Sequence, residues 1–416
     1  MVDLLELSWA CAKTHRHQAR VLPHRDSTLD PEDENMQDAR GRRGAVTTAA
    51  LRSAVAWSRR QEEQRAWREV ARMTGVIMHA FGPGAGPSTP AELVALLHRP
   101  LGELLPAAGE ASALDTVVLL DADGTLSDEA MEIACDYTQA LFDTDADPAT
   151  EWLPRWAWQR AEQVERQTFR SLIQAGNQAV YTSSRRFIVE RPAGDLRWLA
   201  DERTTATPYA GARQVADYID IPRDRQFRFG AGEDEVRWWP CPVCRWPMRV
   251  RPPIVKCSYG PHEARFRLVD RDGSPPELVK TSTTRLRTPQ PQTVAGARCV
   301  DPAVWRFVTV PGIPEIALER LRQRFPGLVV QLWPIKDTFD AVISAPDGRT
   351  WTVDVKDHTD ARGIVDDPPA AQHVVVPSYR KGQVNQLKRL LPEKSVWTVD
   401  SFVRHVSDHM RGSAAQ

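Results

Sequence analysis

In the last quarter of the chain the apolar positions change period in a readable order. Leu318, Leu321 and Phe325 fall at i, i+3 and i+7, one face of a helix. Ahead of them, Pro311-Gly312-Ile313-Pro314 reads as a stop followed by a helix start. Pro314 then falls in the first turn, where a missing N–H costs nothing, and Glu315 in the same turn suits the helix dipole. Pro326-Gly327 ends that helix, and Leu328 to Trp333 reads as a buried strand. Asp340 opens an apolar run to Ser344, Pro346-Asp347-Gly348 supplies turn chemistry, and Thr350 to Val355 alternates like a strand. These runs predict a hairpin. A strand at His373 to Val376, a basic helix over Arg380 to Leu391, a strand at Val396 to Val399 and a helix over Ser401 to Met410 complete the order.

Earlier in the chain the pattern is mostly helical. Met1 to Ala19 reads as a short helix and the polar stretch Gln18 to Arg43 as a flexible surface segment. Ala45 to Phe81 reads as a long helical stretch carrying Leu51, Ala54, Val55, Trp67, Val70, Met73 and Ile77. Thr89 with Glu92 three positions on marks another helix start. Glu151 to Ile173 reads as a helix rich in Trp and Arg, Phe187-Ile188-Val189 as strand-like, and residues 196–230 as helices and loops. The expected architecture is multidomain α+β: an α-rich region over 1–230, a ribbon over 236–270, a connector over 271–302, and a C-terminal α/β core over 303–416.

Composition changes this picture little. The 416 residues are 42% hydrophobic and 26% charged, an ordinary globular balance that excludes disorder throughout. A net charge of -1 means that contacts to nucleic acid must come from local patches. Arg245 to Arg298 is such a patch, with 11 Lys/Arg against 4 Asp/Glu. No apolar run approaches the length of a membrane span. Asp3 and Glu6 interrupt the apolar N-terminus, which lacks a signal-peptide layout, so the expected location is the cytoplasm.

Cysteine spacing carries chemistry. Cys241-Pro242-Val243-Cys244 is a C-x2-C knuckle, followed after twelve residues by Cys257 and after four more by His262. Four ligands at this spacing suit tetrahedral Zn²⁺ in a closed structural site, with Cys299 as the alternative fourth ligand. Met248 to Val250 and Ile254 to Lys256 would flank it as strands.

The predicted C-terminal hairpin carries a second kind of chemistry. Its adjacent ends bring Asp340 beside Asp354, and Lys356, two positions on, shares a face with Asp354. Paired carboxylates hold Mg²⁺ or Mn²⁺, and a lysine beside them can orient water or steady an anion. A third stretch, Asp115 to Leu126, resembles the nucleophile motif of haloacid-dehalogenase-like phosphatases, with Asp121 as nucleophile and Asp123 as acid/base. An Asp-Gly turn feeding a helix capped by Ser127 accounts for the same residues.

The order helix, three strands, strand, helix, strand, helix, with Glu315, Asp340 and Asp354-Val355-Lys356, resembles the PD-(D/E)xK restriction-endonuclease-like fold. Thirteen residues separate the two aspartates, and Phe339 stands where the family name has proline. The resemblance covers about the last quarter of the chain. It implies that Asp340 and Asp354 hold Mg²⁺, that Lys356 orients the water, and that Glu315, or else Glu319, is the extra acid. Arg380, Lys381, Lys388 and Arg389 would grip the nucleic-acid backbone, and Gln383 or Gln386 could face the site. With the zinc ribbon, the combination resembles the REase component encoded with prokaryotic PIWI-type (pPIWI-RE) proteins and a helicase. That resemblance implies an endonuclease in prokaryotic defence, acting on DNA in the first instance, with a PIWI-like protein and a helicase as partners. The alternative is a catalytically inactive adaptor that binds nucleic acid and recruits a partner. The residues leave DNA against RNA, strandedness and guide dependence open.

Overall fold

The computed structural model describes residues 31–130 except 62–64, 83 and 107–112, then residue 133, and 167–414 except 175, 231–234, 272–273, 282–284, 359–360, 362–363 and 366–367. The chain forms two compact units, Met1–Ala157 with His358–Gly363, and Trp158–Asp357 with Ile364–Gln416. No helix among the described residues is long and apolar enough to cross a membrane.

The first unit is built on α1 (Pro31–Ser58), α2 (Ala66–Phe81) and α3 (Pro90–Leu97). The long helical stretch expected over Ala45 to Phe81 is helical as two helices, broken between Ser58 and Ala66. Ser58 to Arg65 holds no apolar residue to bury, and turn bonds from Arg59 N to Ala56 O and Arg60 N to Trp57 O close α1 there. Leu51, Ala54, Val55, Val70, Met73 and Ile77 are buried, as expected. Glu69 is buried too, where burial pushes its carboxyl up and its partner Arg52, at 2.6 Å, opposes that shift. The flexible segment expected over Gln18 to Arg43 is helical from Pro31 on. The helix expected over Met1 to Ala19, and residues 151–166 of the Trp- and Arg-rich helix, lie outside the described residues.

At Asp121 to Ser127 the chain makes a tight reversal. Gly124 N donates to Asp121 O, Leu120 bridges Leu126, and the Asp123 carboxylate accepts from Thr125 N and Oγ1. Ser127 Oγ accepts from Ala130 N at 2.9 Å. This is the Asp-Gly turn with its cap, not a parallel strand end.

In the second unit α4 (Gln178–Glu190) occupies the place read as strand-like at residues 187–189. Asn177 caps it, accepting from Val180 N at 3.1 Å. The local β-propensity of Phe187-Ile188-Val189 yields to burial of all three against the rest of the unit. After α4 come β1 (Ala193–Asp195), α5 (Leu196–Thr205), β2 (Tyr218–Asp220), β3 (Phe227–Arg228) and β4 (Val236–Trp238). The ribbon strands β5 (Arg249–Arg251) and β6 (Ile254–Lys256) pair antiparallel. They are extended by β7 (Arg265–Arg271) and β8 (Ser274–Lys280) into a four-stranded sheet. The stretch expected as a connector, 271–302, thus contributes β8, β9 (Gln292–Thr293) and β10 (Ala297–Val300). β10 sits between β1 and β2, and β4 between β3 and β9.

The helix before the C-terminal sheet does not restart at Pro311. It begins at Pro302, passes through a π turn at Trp305–Thr309 and continues as α6 (Val310–Ala317), with Pro314 inside it. Gly312 belongs to packing rather than to a stop: a Cβ there would lie 2.4 Å from Val189 Cγ2, so its absence lets α6 approach α4 closely. Then come α7 (Arg320–Arg324), β11 (Val329–Leu332), β12 (Ala341–Ser344), β13 (Thr350–Val355), β14 (His373–Val376), α8 (Val384–Leu390), β15 (Ser395–Thr398) and α9 (Val399–Ala414). The five strands lie in sequence order; β11, β12 and β13 are antiparallel and β13, β14 and β15 parallel. One continuous core joins this sheet to the ribbon, running from Trp239 and Trp246 to Trp333, Val353 and Phe402.

Candidate functional site

Two polar clusters lie in the second unit. The first is the cysteine knuckle. Each of its turns closes on a left-handed residue, Arg245 (φ 60°) and Glu263 (φ 51°). Arg245 N donates to Cys241 O at 2.8 Å. The ligand atoms of Cys241, Cys244, Cys257 and His262 lie within 4.8 Å of one another, and all four residues are buried. Cys244 Sγ and Cys257 Sγ are 3.9 Å apart, and His262 Nδ1 lies 3.7 Å from Cys241 Sγ and 3.4 Å from Cys257 Sγ. A tetrahedron with Zn–S of about 2.3 Å and Zn–N of about 2.0 Å has edges of roughly 3.5–3.8 Å, so the quartet fits zinc. Three N–H groups aim at the sulfurs: Val243 N at Cys241, Tyr259 N at Cys257, and Trp305 Nε1 at Cys244. Such donors favour thiolates.

Without a cation the charge does not balance. Burial opposes every thiolate. Cys244 alone is pulled down, by hydrogen bonds from Cys241 and Cys257 and by His262, while Cys241 and Cys257 are pushed up. A bound divalent metal reverses this opposition. Cys299, the alternative ligand, lies apart in β10, and burial pushes its thiol up to about 12, as in a core cysteine. The ribbon is anchored by tryptophans. Trp246 stacks on Trp305 with ring centroids 4.3 Å apart, and its Nε1 donates to Val300 O.

The second cluster gathers at adjacent ends of β12 and β13. Ala341 pairs with Val353, so Asp340 and Asp354 are opposite. Asp340 N donates to Asp354 Oδ1 at 3.3 Å, and Val355 N to Asp340 Oδ2 at 2.7 Å. Ala371 N donates to Asp354 Oδ2 at 3.4 Å. Lys356 is tied by its N–H to Val375 O of β14; burial raises the carboxyls of both Glu315 and Asp340, and the Lys356 ammonium is close enough to oppose that rise.

Glu315 lies in the same neighbourhood but is turned elsewhere. It is buried, and both carboxylate oxygens accept from Arg185 Nη2, at 3.0 and 3.2 Å; Trp333 Nε1 donates to Oε2 at 2.5 Å. Among the described residues, the cysteine–histidine quartet alone gathers three or more ligand atoms; Asp340 and Asp354 offer a pair. Glu319 pairs with Arg186 at 2.5 Å. Burial, then Glu315, push the Asp340 carboxyl well above its usual range against the pull of Lys356.

Sequence reasoning missed Arg185 and Asp337. Arg185 projects from α4, pairs with Asp337 as well as Glu315, and lies 4.6 Å from the Trp333 ring centroid. Asp337 ends a left-handed segment in which Trp333, Ile335, Lys336 and Asp337 have φ between 50° and 82°. Left-handed backbone at a β-branched residue is costly, about 1–3 kcal/mol. Gln178 holds it, donating to Trp333 O at 2.7 Å and accepting from Lys336 N at 2.8 Å. No periodicity or turn chemistry marks this segment in the sequence.

Of the four basic residues expected to contact nucleic acid, Lys381, Lys388 and Arg389 are exposed. Arg380 is not available in the same way. Its side chain is 11% exposed and bonds the Asp357 carboxylate at 3.1 Å. Gln383 and Gln386 are half-buried.

A buried Cys₃His cluster sharing one core with a mixed sheet whose strand ends carry paired acids defines a mixed α and β protein with a site that can hold a metal such as zinc. Two family models match it: the pPIWI_RE three-gene island domain Y over residues 43–195, and the REase associating with pPIWI_RE over residues 312–414. Neither a curated protein nor a solved structure matches. Both matches point to the pPIWI-RE-associated, REase-like proteins. Arg185 falls in the domain Y match and Glu315 in the REase match, and their ion pair lies within the second unit.

Proposed function

We propose that this protein is a metal-dependent endonuclease that hydrolyses phosphodiester bonds of nucleic acid, DNA in the first instance, within a cytoplasmic prokaryotic defence system. The observation that carries this reading is the placing of Asp340 opposite Asp354, cross-linked by Asp340 N and Val355 N, with Lys356 at the same strand end. The neighbourhood holds Glu315, Asp337, Asp340 and Asp354 against Arg185 and Lys356, and burial, then Glu315, raise the Asp340 carboxyl, so a cation there would be welcome. Hard oxygen donors of this kind fit Mg²⁺ or Mn²⁺, which would supply an activated water and offset charge on the phosphate.

In this reading Asp340 and Asp354 hold the cation, and Lys356 orients the attacking water and steadies the developing anion. Glu315, engaged by Arg185, acts as an outer acid that sets the field. Lys381, Lys388 and Arg389 follow the phosphate backbone without reading sequence. The cysteine–histidine site is structural, since four protein ligands leave no open position. Family context points to a PIWI-like protein and a helicase as partners.

The second reading, an adaptor that binds nucleic acid and recruits a partner, is favoured by both Glu315 carboxylate oxygens being engaged by Arg185. Cleavage of plasmid and single-stranded DNA with Mg²⁺ or Mn²⁺, wild type beside Lys356→Ala, separates the two. Cleavage lost in the variant supports the nuclease; binding without cleavage by both proteins supports the adaptor.

A further inference from the structure

The zinc knuckle touches the end of the strand that carries Asp354 and Lys356. Tyr259 lies between the ligands Cys257 and His262, and its edge meets the His262 ring with centroids 4.9 Å apart. Its N–H donates to Cys257 Sγ at 3.4 Å. Its hydroxyl donates to Asp357 Oδ2, on the residue directly after Lys356. Tyr259 is 1% exposed, and the Asp357 side chain 2%. Asp357 is saturated: Tyr379 OH donates to it at 2.6 Å and Arg380 Nε at 3.1 Å, while Arg380 Nη2 also donates to Tyr259 OH at 3.2 Å. The Arg306 guanidinium lies 5.2 Å from the Tyr259 ring centroid.

We infer that Tyr259 is a positioning residue: through Asp357, the metal-loaded knuckle sets the backbone at the end of β13 and with it the direction of Lys356. Three donors, two tyrosine hydroxyls and one guanidinium, converge on one buried carboxylate adjacent to the lysine. A solvated hairpin end needs no such clamp. Lys356 is then held from two sides, by Val375 O through its own N–H and by the knuckle through the next residue. This rests on the nuclease reading for its consequence, but not for the coupling itself. Partners one step behind a reacting group are worth about 10-fold to 100-fold when removed.

The test uses the full chain with Tyr259→Phe, which keeps the ring against His262 and removes only the hydroxyl. Zinc content is measured first and is expected to match wild type. Hydrogen exchange over residues 350–357 is then compared, with and without zinc removal by a chelator. Exchange raised in the zinc-loaded variant, and raised in wild type on chelation, supports the coupling. Exchange unchanged in the variant overturns it. In cleavage assays kcat should fall about 10-fold with KM for DNA unchanged, and Asp357→Asn should add little to Tyr259→Phe. Wild-type cleavage by the variant, with exchange raised, overturns the positioning role. If wild type itself does not cut, the nuclease reading fails, and the exchange comparison still decides the coupling.

Discussion

The two polar clusters of the second unit are built on opposite plans. The cysteine–histidine quartet takes all its ligands from Cys241 to His262, two knuckles that need only short-range turns. The acid cluster takes Asp340 and Asp354 from one hairpin, but the charged groups around them come from far away: Arg185 and Glu315, which pair beside them, are 130 positions apart. The quartet has burial against its thiolates, and only Cys244 is pulled down by its neighbours. The acid cluster carries positive groups of its own, Arg185 and Lys356. A closed metal site can be local because the metal supplies the energy; a reactive carboxylate site has to be assembled by the tertiary fold, which alone can bury charge and balance it.

That contrast can be broken in several ways. The largest effect is expected at the knuckle. Structural zinc contributes about 10–16 kcal/mol in isolated finger peptides, so Cys257→Ser should abolish zinc retention and collapse the thermal midpoint. Metal analysis and thermal unfolding of the full chain check this; a zinc-free variant with a wild-type midpoint would make the quartet dispensable.

Next is Asp354→Ala. It should lower cleavage by about 1,000-fold, the scale of several kcal/mol of charge stabilisation, with zinc content unchanged. Retained cleavage would remove the aspartate pair from the mechanism.

Third is Arg185→Ala, which strands Glu315 and Asp337 in the interior. Removing one partner of a buried pair costs about 3–5 kcal/mol, measured by chemical denaturation. Glu315→Gln in the same background should recover part of the loss, because the uncompensated charge is gone.

The smallest effect separates the sheet from the knuckle by pH. Burial, then His405 and Arg349, lower the His373 imidazole to about 4. The unfolded chain therefore takes up that proton more readily than the native one. Its contribution to stability is complete above the ordinary value of 6.5 and is lost as pH falls towards 4. His373→Gln, which keeps an acceptor for Trp397 Nε1, should flatten the denaturation profile in that window.

Much of the C-terminal order was legible in residue pattern. Thr350 to Val355 and His373 to Val376 are strands with the expected bounds, because alternation and β-branching there agree with what the sheet buries. The ribbon strands were legible within a residue, and so were three of the four knuckle ligands, because C-x2-C spacing is itself a turn geometry; the fourth stood between His262 and Cys299 until the fold placed His262. Where local preference and tertiary demand disagreed, the pattern misled. Phe187-Ile188-Val189 looks like a strand and is a helix, since an apolar surface on several sides is served by either shape. Pro311-Gly312-Ile313-Pro314 looks like a stop and lies in a helix, since Gly312 is there for Val189 to approach.

By itself, then, the sequence determined the three cysteines of the knuckle, the hairpin with its facing aspartates, and the lysine beside them, all features fixed by spacing along the backbone. Only the tertiary structure decided that Arg185 claims Glu315, that Asp357 turns Arg380 inward, and that Tyr259 joins the knuckle to the end of β13. Those are choices of partner among buried charges. They depend on which side chains share a low-dielectric interior, and chain separation does not encode that.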